Sequence, residues 1–349
     1  MEVSLLKPTK STERIEVLDY LRGFALLGII LVNILPLLAV KVPEQGTVDA
    51  YYQRFLFLFV EGRFYTLFSF LFGVGFYLFI SRANAKGKNG YVLFLRRVAA
   101  LFILGWFHVK FHTGEALTVY AVTGLLLLPF YKVKKEMNLA IGVILLIVLS
   151  LMASKLFMVV ALMLLGITAG QYRLFEGLAG KTKRVAIFTA ILLIVCITGL
   201  IYQYQHAPSY PFGFYTGIDE VTYHFLSIGI MIGPLVSALY VGVLILLLQF
   251  QTVQKLLSPL KSYGRMAMTN YIFQTVFIYV AGYVFNLFES LTYLQSLLVC
   301  LTIYVIQLIF SVVWLRFFQF GPLELIWRVV TYLEVPPMRK RVKIESLID

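Results

Sequence analysis

Long apolar runs constrain the fold of this chain more than any other feature of its sequence. Of its 349 residues, 60% are hydrophobic and 13% are charged, whereas soluble domains are about 45–50% apolar and about 25% charged. Apolar runs of about 20 residues are typical of membrane-spanning helices, while outer-membrane barrels have short alternating segments. We therefore predict an all-α fold, that of a polytopic helical membrane protein.

The distribution of basic residues predicts the topology. We expect about ten transmembrane helices, at about 17–40, 62–80, 92–110, 116–131, 138–154, 156–171, 185–204, 225–249, 267–287 and 292–316. With both termini cytoplasmic, 24 of the 30 Lys and Arg residues lie on the inner side, in agreement with the positive-inside rule. The net charge of +13 is then explained by topology, and we predict no nucleic-acid partner.

The chain is predicted to be a single transmembrane helical bundle over residues 1–349. A cytoplasmic N-terminal segment at 1–16 precedes the membrane bundle at 17–316. A cytoplasmic amphipathic helix and a basic tail follow at 321–349. No separate soluble domain is expected.

Three segments carry more specific expectations. Residues 51–61 are aromatic and charged, which predicts an interfacial helix on the outer face. The apolar stretch 138–171 is predicted to form a tight hairpin near Lys155, because the basic segments on its two sides must share a compartment. In the C-terminal amphipathic helix, Glu324 and Arg328 have the spacing of an i,i+4 ion pair.

Asp19 and Arg22 are ionisable residues inside the first apolar run, and Asn33 follows them. Ionisable groups within a membrane are costly, so they indicate a functional site. On a helix the three residues share one face within roughly 60°, and Asn33 lies about 21 Å from Asp19 along the axis. The inner pair either anchors the helix at the cytoplasmic surface or binds an anionic ligand. Asn33 either bonds a neighbouring helix or lines a site.

The second span carries a stripe of small residues: Gly62, Thr66, Ser69 and Gly73. Small residues at this spacing allow two membrane helices to approach closely. We interpret the stripe as a packing surface.

His108, His112 and Glu115 have i, i+4, i+7 spacing near the outer end of the third span. On a continuous helix they would cluster as metal-ligand types, but the turn expected at 113–114 argues against a metal, and we predict none. His108 beside an acidic residue is instead a candidate general base.

Two further pairs are candidate substrate-binding residues. Glu61 and Arg63 flank the outer start of the second span, and Asn270 and Gln274 are i,i+4 neighbours early in the ninth. The alternatives are a solvated interfacial pair for the first and interhelical hydrogen bonding for the second.

Several segments resemble the YeiB-like family of bacterial inner-membrane proteins. The resemblance is carried by RIEVLDYLRGFALLGIILVNI, EGRFYTLFSFLFGVG, RRVAALFILGWFH and GEALTVYAVTGLLLLPF, and near the C-terminus by GRMAMTNYIFQ and GPLELIWR. It covers nearly the whole chain and implies a multi-pass protein of the bacterial inner membrane.

The first helix is also similar, more distantly, to that of the transmembrane acyltransferases, which include bacterial O-acyltransferases and the lysosomal heparan-glucosaminide acetyltransferase. Arg14, Asp19 and Arg22 match the inner arginine and acid motif of that group. The resemblance implies transfer of an acyl group from cytoplasmic acyl-CoA to an acceptor across the membrane. Arg96 or Arg97 would then join Arg22 in holding the donor.

The resemblance fails at the general base. The O-acyltransferases carry a histidine at the position of Asn33, and the lysosomal enzyme carries its catalytic histidine at the position of Glu44. An amide cannot act as a general base at neutral pH. If the chain is an enzyme, His108, Glu115, Glu61 or Glu44 must supply the base, and helical facing favours His108.

Three functions remain as hypotheses. The first is a membrane acyltransferase that uses acyl-CoA as donor, holds no permanently bound cofactor and activates an extracytoplasmic acceptor near Asn33, His108 and Glu115. The second is a transporter or flippase of a small anionic or lipid-linked solute. The third is a non-catalytic membrane scaffold. In each case the lipid bilayer is the surrounding partner.

Overall fold

The computed structural model describes residues 15–213 and 218–339, and these residues form helices, turns and loops with no β-strand. The predicted all-α fold is confirmed. The helices are α1 (Glu16–Leu37), α2 (Val48–Phe59), α3 (Arg63–Ala85), α4 (Gly90–His108), α5 (Leu117–Leu126), α6 (Lys135–Leu151), α7 (Met158–Gln171), α8 (Thr182–Gln205), α9 (Glu220–Leu247), α10 (Gln251–Leu256), α11 (Ser258–Arg265), α12 (Ala267–Val284), α13 (Tyr293–Phe317) and α14 (Pro322–Tyr332).

Six stretches of the described residues are long and apolar enough to cross a membrane. They are Glu16–Leu37, Val48–Ala85, Gly90–His108, Leu178–Gln205, Glu220–Leu247 and Tyr293–Phe317. A helix occupies each of the ten predicted spans, but α5, α6, α7 and α12 are not among the six. The first three of these have 10, 17 and 14 residues, which is short for a bilayer of about 30 Å. The count of about ten spans is therefore not confirmed.

Two local expectations correspond to observed elements. The aromatic segment 51–61 lies mostly in α2, which Thr47 caps and which ends before Gly62. Gly62 has φ 77°, a left-handed conformation that suits glycine, and it turns the chain into α3. The stretch 138–171 is a hairpin of α6 and α7 with a turn at residues 152–157.

Helix α1 lies at the centre of the bundle, in contact with α3, α11, α12 and α13. Its Leu21, Ala25, Leu26, Ile30 and Ile34 are fully buried. Because α1 carries the predicted polar seam, this placement brings the seam into the protein interior.

Helices α3 and α7 cross at two glycines. A Cβ atom added to Gly73 would lie 2.0 Å from the carbonyl oxygen of Met163, and one added to Gly166 would lie 2.1 Å from that of Phe70. Real Cβ atoms do not approach a backbone so closely, so both positions require glycine. The small-residue stripe on α3 is thus a packing surface at Gly73, as expected.

We predict that Gly73→Val destabilises the protein by about 1–3 kcal/mol, because the added atoms force α3 and α7 apart. The measurement is thermal unfolding in detergent, followed by fluorescence-detected gel filtration. Gly233→Ala in α9 is the matched control, since its added Cβ meets nothing within 4 Å. An unfolding temperature of Gly73→Val equal to that of the parent would contradict the assigned crossing.

Candidate active site

The Asp19–Arg22 pair lies near the predicted cytoplasmic end of α1. Arg22 Nη1 is 3.3 Å from Asp19 Oδ1, and the aspartate is buried whereas the arginine is partly exposed. This ion pair fixes the position of the arginine side chain. The pair therefore directs Arg22 into a space at this end of the bundle.

That space, which we call the inner cavity, has a volume of about 660 Å³. Helices α1, α3, α4 and α14 all contribute to its walls. Six of its lining side chains are basic, namely Arg22, Arg82, Lys86, Lys88, Arg97 and Arg328, and two are acidic, namely Asp19 and Glu334. Such an excess of positive charge in a concave site attracts polyanionic ligands.

Arg97, rather than its neighbour Arg96, lines the inner cavity. The Arg97 guanidinium carbon lies 3.5 Å from the ring centroid of Trp327 and 4.7 Å from that of Phe79. Trp327 Nε1 also donates to the Arg97 carbonyl oxygen at 2.8 Å. Arg96 is exposed. Of the two arginines offered by the sequence, only Arg97 is held against the site, while Arg14 lies outside the described residues.

Glu324 joins α14 to the start of α12 rather than pairing with Arg328. Its carboxylate accepts the N–H groups of Met268 at 2.8 Å and Thr269 at 3.0 Å, and the Thr269 hydroxyl at 2.6 Å. Burial of this group on α14 raises its pKa. The Arg328 guanidinium instead lies over the ring of Tyr332. The predicted ion pair is therefore not formed among the described residues, because the helix start binds the carboxylate.

A middle cavity of about 280 Å³ adjoins the inner cavity on the side that faces the bundle interior. Arg22, Arg97 and Arg328 line both this cavity and the inner one. Its remaining lining is mostly aromatic and aliphatic, including Phe72 and Phe94, with Arg265 and Glu324 as further charged residues. Apolar side chains thus join the arginines in this cavity.

An outer cavity of about 360 Å³ lies at the opposite end of α1. Its polar lining includes Asn33, Glu61, His112, Glu115 and Lys155. Lys155 Nζ forms an ion pair with Glu61 across the mouth. Asn33 and Glu61 therefore lie where the sequence placed them, on a shared cavity at the predicted outer end.

The three cavities lie in series along the bundle. The middle and outer cavities share Phe68, Leu117 and Tyr271 as lining residues. We call these three side chains the partition. It separates the cavity that contains Arg22 from the cavity that contains Asn33, so the polar seam on α1 is interrupted by one apolar layer.

His108 lies behind the outer cavity, next to Glu115. Its Nε2 is 3.0 Å from Thr275 Oγ1, and its Nδ1 is 3.7 Å from Glu115 Oε1. Glu115 also accepts the N–H groups of Leu117 and Thr118, at the start of α5. The Glu115 carboxylate thus caps the start of α5 at the wall of the outer cavity, and the imidazole lies beside it, beyond hydrogen-bond distance.

His112 is the histidine that lines the outer cavity. It lies in the loop between α4 and α5, with its ring centroid 5.6 Å from that of His108. Burial, together with His108, lowers the pKa of His112 to about 4, so its imidazole is uncharged at neutral pH. An imidazole with so low a pKa is a weak base, but it can still donate or accept a hydrogen bond. Within the described residues, no group of three or more His, Cys, Asp or Glu is placed to hold a metal.

Arg63 makes contacts that hold helices together. Its Nη1 donates to the carbonyl oxygens of Glu61 at 2.9 Å and Gly229 at 2.7 Å, and its Nη2 to Leu58 O at 2.8 Å and Gln203 Oε1 at 2.9 Å. The side chain is completely buried. It therefore joins α3 to α8 and α9, away from the outer cavity.

Asn270 and Gln274 also hydrogen-bond between helices. Asn270 Nδ2 donates to Tyr263 O at 2.9 Å and to Ser311 Oγ at 3.0 Å. Gln274 Nε2 donates to Leu26 O at 3.1 Å and to the Tyr263 hydroxyl at 2.7 Å. Neither residue lines one of the three cavities.

Comparison with known proteins identifies the family. Residues 169–334 match the family described as protein of unknown function (DUF418). The chain is 58% identical over 333 residues to an uncharacterized 39.9 kDa protein in the amylase 3′ region of Bacillus acidopullulyticus, covering 94% of this chain and 96% of the relative. It is 26% identical over 394 residues to the uncharacterized protein YeiB of Escherichia coli (strain K12), covering 93% of this chain and 98% of YeiB. The chain belongs to the YeiB-like family.

A second family covers the other half of this YeiB-like protein. Residues 14–175 match the model described as heparan-alpha-glucosaminide N-acetyltransferase, catalytic. A further relative, the uncharacterized protein YxaH of Bacillus subtilis (strain 168), is 28% identical over 405 residues, which cover 98% of this chain and 100% of YxaH. No solved structure matches the chain significantly. The YeiB-like protein is thus an acyltransferase-like membrane protein.

The two matched segments meet at the cavities. Arg22 and Arg97 of the inner cavity lie in the acyltransferase-like segment, whereas Arg328 lies in the DUF418 segment. Tyr271 of the partition also comes from the second segment. The site is therefore built from both halves of the YeiB-like fold.

Sequence reasoning did not assign Arg328, Lys155 or His112 to this site. In the sequence, Arg328 and Lys155 are recognisable only as parts of charge patterns, and His112 is recognisable only as a possible metal ligand. Lys155 had a usable signal, since it is a lone charge in the long apolar stretch 138–171. Arg328 had none, because nothing in the sequence places α14 beside α4.

We predict that Arg63→Gln destabilises the protein without weakening a ligand site, since buried carbonyl groups lose their donors at a cost of about 1–3 kcal/mol. Thermal unfolding in detergent measures this loss. Arg54→Gln is the control, because Arg54 lies near the same face and donates to a loop carbonyl, that of Pro208, at 2.9 Å. If Arg63→Gln leaves the unfolding temperature unchanged but abolishes activity, Arg63 binds substrate, as the sequence allows.

Proposed function

We propose that this protein is an acyltransferase of the bacterial inner membrane, which passes an acyl group from cytoplasmic acyl-CoA to an acceptor at the outer face. The observation that carries this proposal is the series of three cavities. The inner cavity is basic, the middle one adds aromatic and aliphatic side chains beyond the arginines it shares with the inner one, and the outer one contains both acidic and basic side chains. In this order the cavities would hold the phosphates of acyl-CoA, its uncharged arm with the acyl group, and the acceptor at the outer face.

The inner cavity suits the phosphates of coenzyme A. Arg22, Arg97 and Arg328 converge at the point where the inner and middle cavities meet. Guanidinium groups bind phosphate through paired hydrogen bonds. The charged part of the donor would remain in the inner cavity, while the uncharged arm and the acyl group would extend past the arginines, among the aromatic and aliphatic side chains of the middle cavity.

The partition is the barrier that the acyl group must cross to reach the acceptor. Phe68, Leu117 and Tyr271 lie between the donor side and the acceptor side. Displacement of one of these side chains would bring the thioester to the polar outer cavity. A closed partition would keep water and protons from crossing between reactions.

The outer cavity would carry the chemistry. The nucleophilic O or N atom of the acceptor attacks the acyl carbonyl, the C–S bond breaks, and coenzyme A leaves as a thiol with a proton. Glu115 and His112 line the cavity, and His108 lies beside Glu115. Glu115 would accept the proton of the acceptor, while the Asn33 amide would donate a hydrogen bond to the carbonyl oxygen.

The cavities also bear on the alternatives. A scaffold without a ligand would fill the bundle interior with side chains, whereas the space beside Asn33 is about 360 Å³. A transporter remains compatible with cavities in series, but it gives no reason for the acyltransferase-like match over residues 14–175.

We predict that Arg97→Gln weakens the binding of acetyl-CoA roughly 10- to 100-fold, because a charged hydrogen bond contributes about 1.5–3 kcal/mol. Isothermal titration of the purified protein measures this affinity. Arg96→Gln is the matched control, since it removes the same charge one residue away, outside the cavity. Equal losses of acetyl-CoA affinity in both variants would mean that only the overall positive charge matters. If the folded parent protein does not bind acetyl-CoA, acyl-CoA is not the donor.

We predict that Glu115→Gln lowers acyl transfer at least 10-fold with donor affinity unchanged, because it removes a carboxylate from the acceptor side. The readout is release of free coenzyme A thiol by protein in proteoliposomes. His206→Gln, on a histidine at the end of α8 outside the outer cavity, is the control. Full activity of Glu115→Gln would exclude this carboxylate as the proton acceptor.

A further inference from the structure

The two helices of the hairpin beside the outer cavity are shorter than α3 and α9, which contact them. Helix α7 has 14 residues and α6 has 17, about 21 and 26 Å, whereas the bilayer hydrocarbon is about 30 Å thick. Helices α3 and α9 have 23 and 28 residues, about 35 and 42 Å. With its basic end at Lys135 fixed at the inner surface, the hairpin ends below the outer headgroups.

The turn of this hairpin presents apolar side chains outward. Leu151, Met152, Leu156 and Phe157 are between 56% and 68% exposed. At that depth they contact lipid acyl chains rather than water. Leu156 also lines the outer cavity. One side of the cavity mouth therefore borders the bilayer.

The charges of the outer cavity favour a headgroup with both signs of charge. Glu61 and Glu115 are acidic and Lys155 is basic, while His112 is neutral. Lys155 is bound to Glu61 through one contact, and an ammonium group has further donors for a phosphate. The two carboxylates would repel a headgroup with net negative charge and attract an amine.

We propose that the acceptor is a lipid of the outer leaflet with a zwitterionic, phosphoethanolamine-type headgroup, which enters past Leu156. This inference rests on the proposed acyl transfer and names its acceptor. The phosphate binds Lys155 and the amine faces Glu115. The ammonium group gives one proton to the Glu115 carboxylate, and its nitrogen attacks the acyl carbonyl. The C–S bond breaks, and the second proton leaves with coenzyme A as the thiol, so the product is an amide.

The first experiment measures lipid binding without any acyl donor. The full chain is reconstituted in nanodiscs of equimolar phosphatidylethanolamine and phosphatidylglycerol, extracted into detergent, and analysed for retained lipid by native mass spectrometry. We expect the parent to retain phosphatidylethanolamine at least five-fold over phosphatidylglycerol. Equal retention of the two lipids, or preference for phosphatidylglycerol, would overturn the proposal.

Two matched variants locate the site. Leu156→Trp narrows the cavity mouth, whereas Leu151→Trp makes the same change on the same hairpin away from the cavity. We expect the first to lower retained phosphatidylethanolamine at least five-fold and the second to leave it unchanged. Lys155→Gln should lower it similarly and Lys155→Arg should preserve it. The same retention in both tryptophan variants would overturn the assigned entrance.

A second measurement separates this inference from the proposed function. Radiolabelled acetyl-CoA is added to the same nanodiscs, and label is counted in the chloroform-extractable fraction. Label in phosphatidylethanolamine supports the lipid acceptor. Acetyl-CoA binding with no label in lipid overturns it while leaving the donor intact, and absence of acetyl-CoA binding refutes the proposed function itself.

Discussion

The cost of placing polar groups inside a bilayer determines where this chain puts its charges. Without water, every buried donor and acceptor must find a partner within the protein. Arg63 meets most of this requirement with the carbonyl groups of Leu58, Glu61 and Gly229, although its Nε has no hydrogen-bond partner among the described residues. Glu324 likewise accepts N–H groups at the start of α12. The polar side chains that line the cavities are the candidates for binding ligands.

The same requirement explains how far the sequence could be interpreted. Helical periodicity placed Asp19, Arg22 and Asn33 on one face of α1, and the cavities at its two ends agree with that placement. Periodicity could not choose between Arg96 and Arg97, because the choice depends on Trp327 in a distant helix. Helix existence follows from local apolar patterns, whereas span number depends on helix length and burial, which sequence sets only approximately.

The two family matches divide the chain near residue 170, yet the site does not follow that division. The segment up to residue 175 supplies most of the inner and outer cavity walls, and the later segment supplies half of the middle cavity's lining residues, including Arg328, Trp327 and Tyr271. Trp327 orients Arg97, and Tyr271 completes the partition. An acyltransferase-like half alone would therefore have an open inner end and an incomplete barrier.

The tight crossing of α3 and α7 restricts how that barrier can move. Phe68 lies on α3 only five residues before Gly73, where the backbones of α3 and α7 touch. Sliding α3 along its axis would drive the two backbones into each other. Helix α3 is therefore fixed in position. Any opening of the partition must come from rotation of the Phe68 ring or from movement of the two side chains opposite it, Leu117 of α5 and Tyr271 of α12.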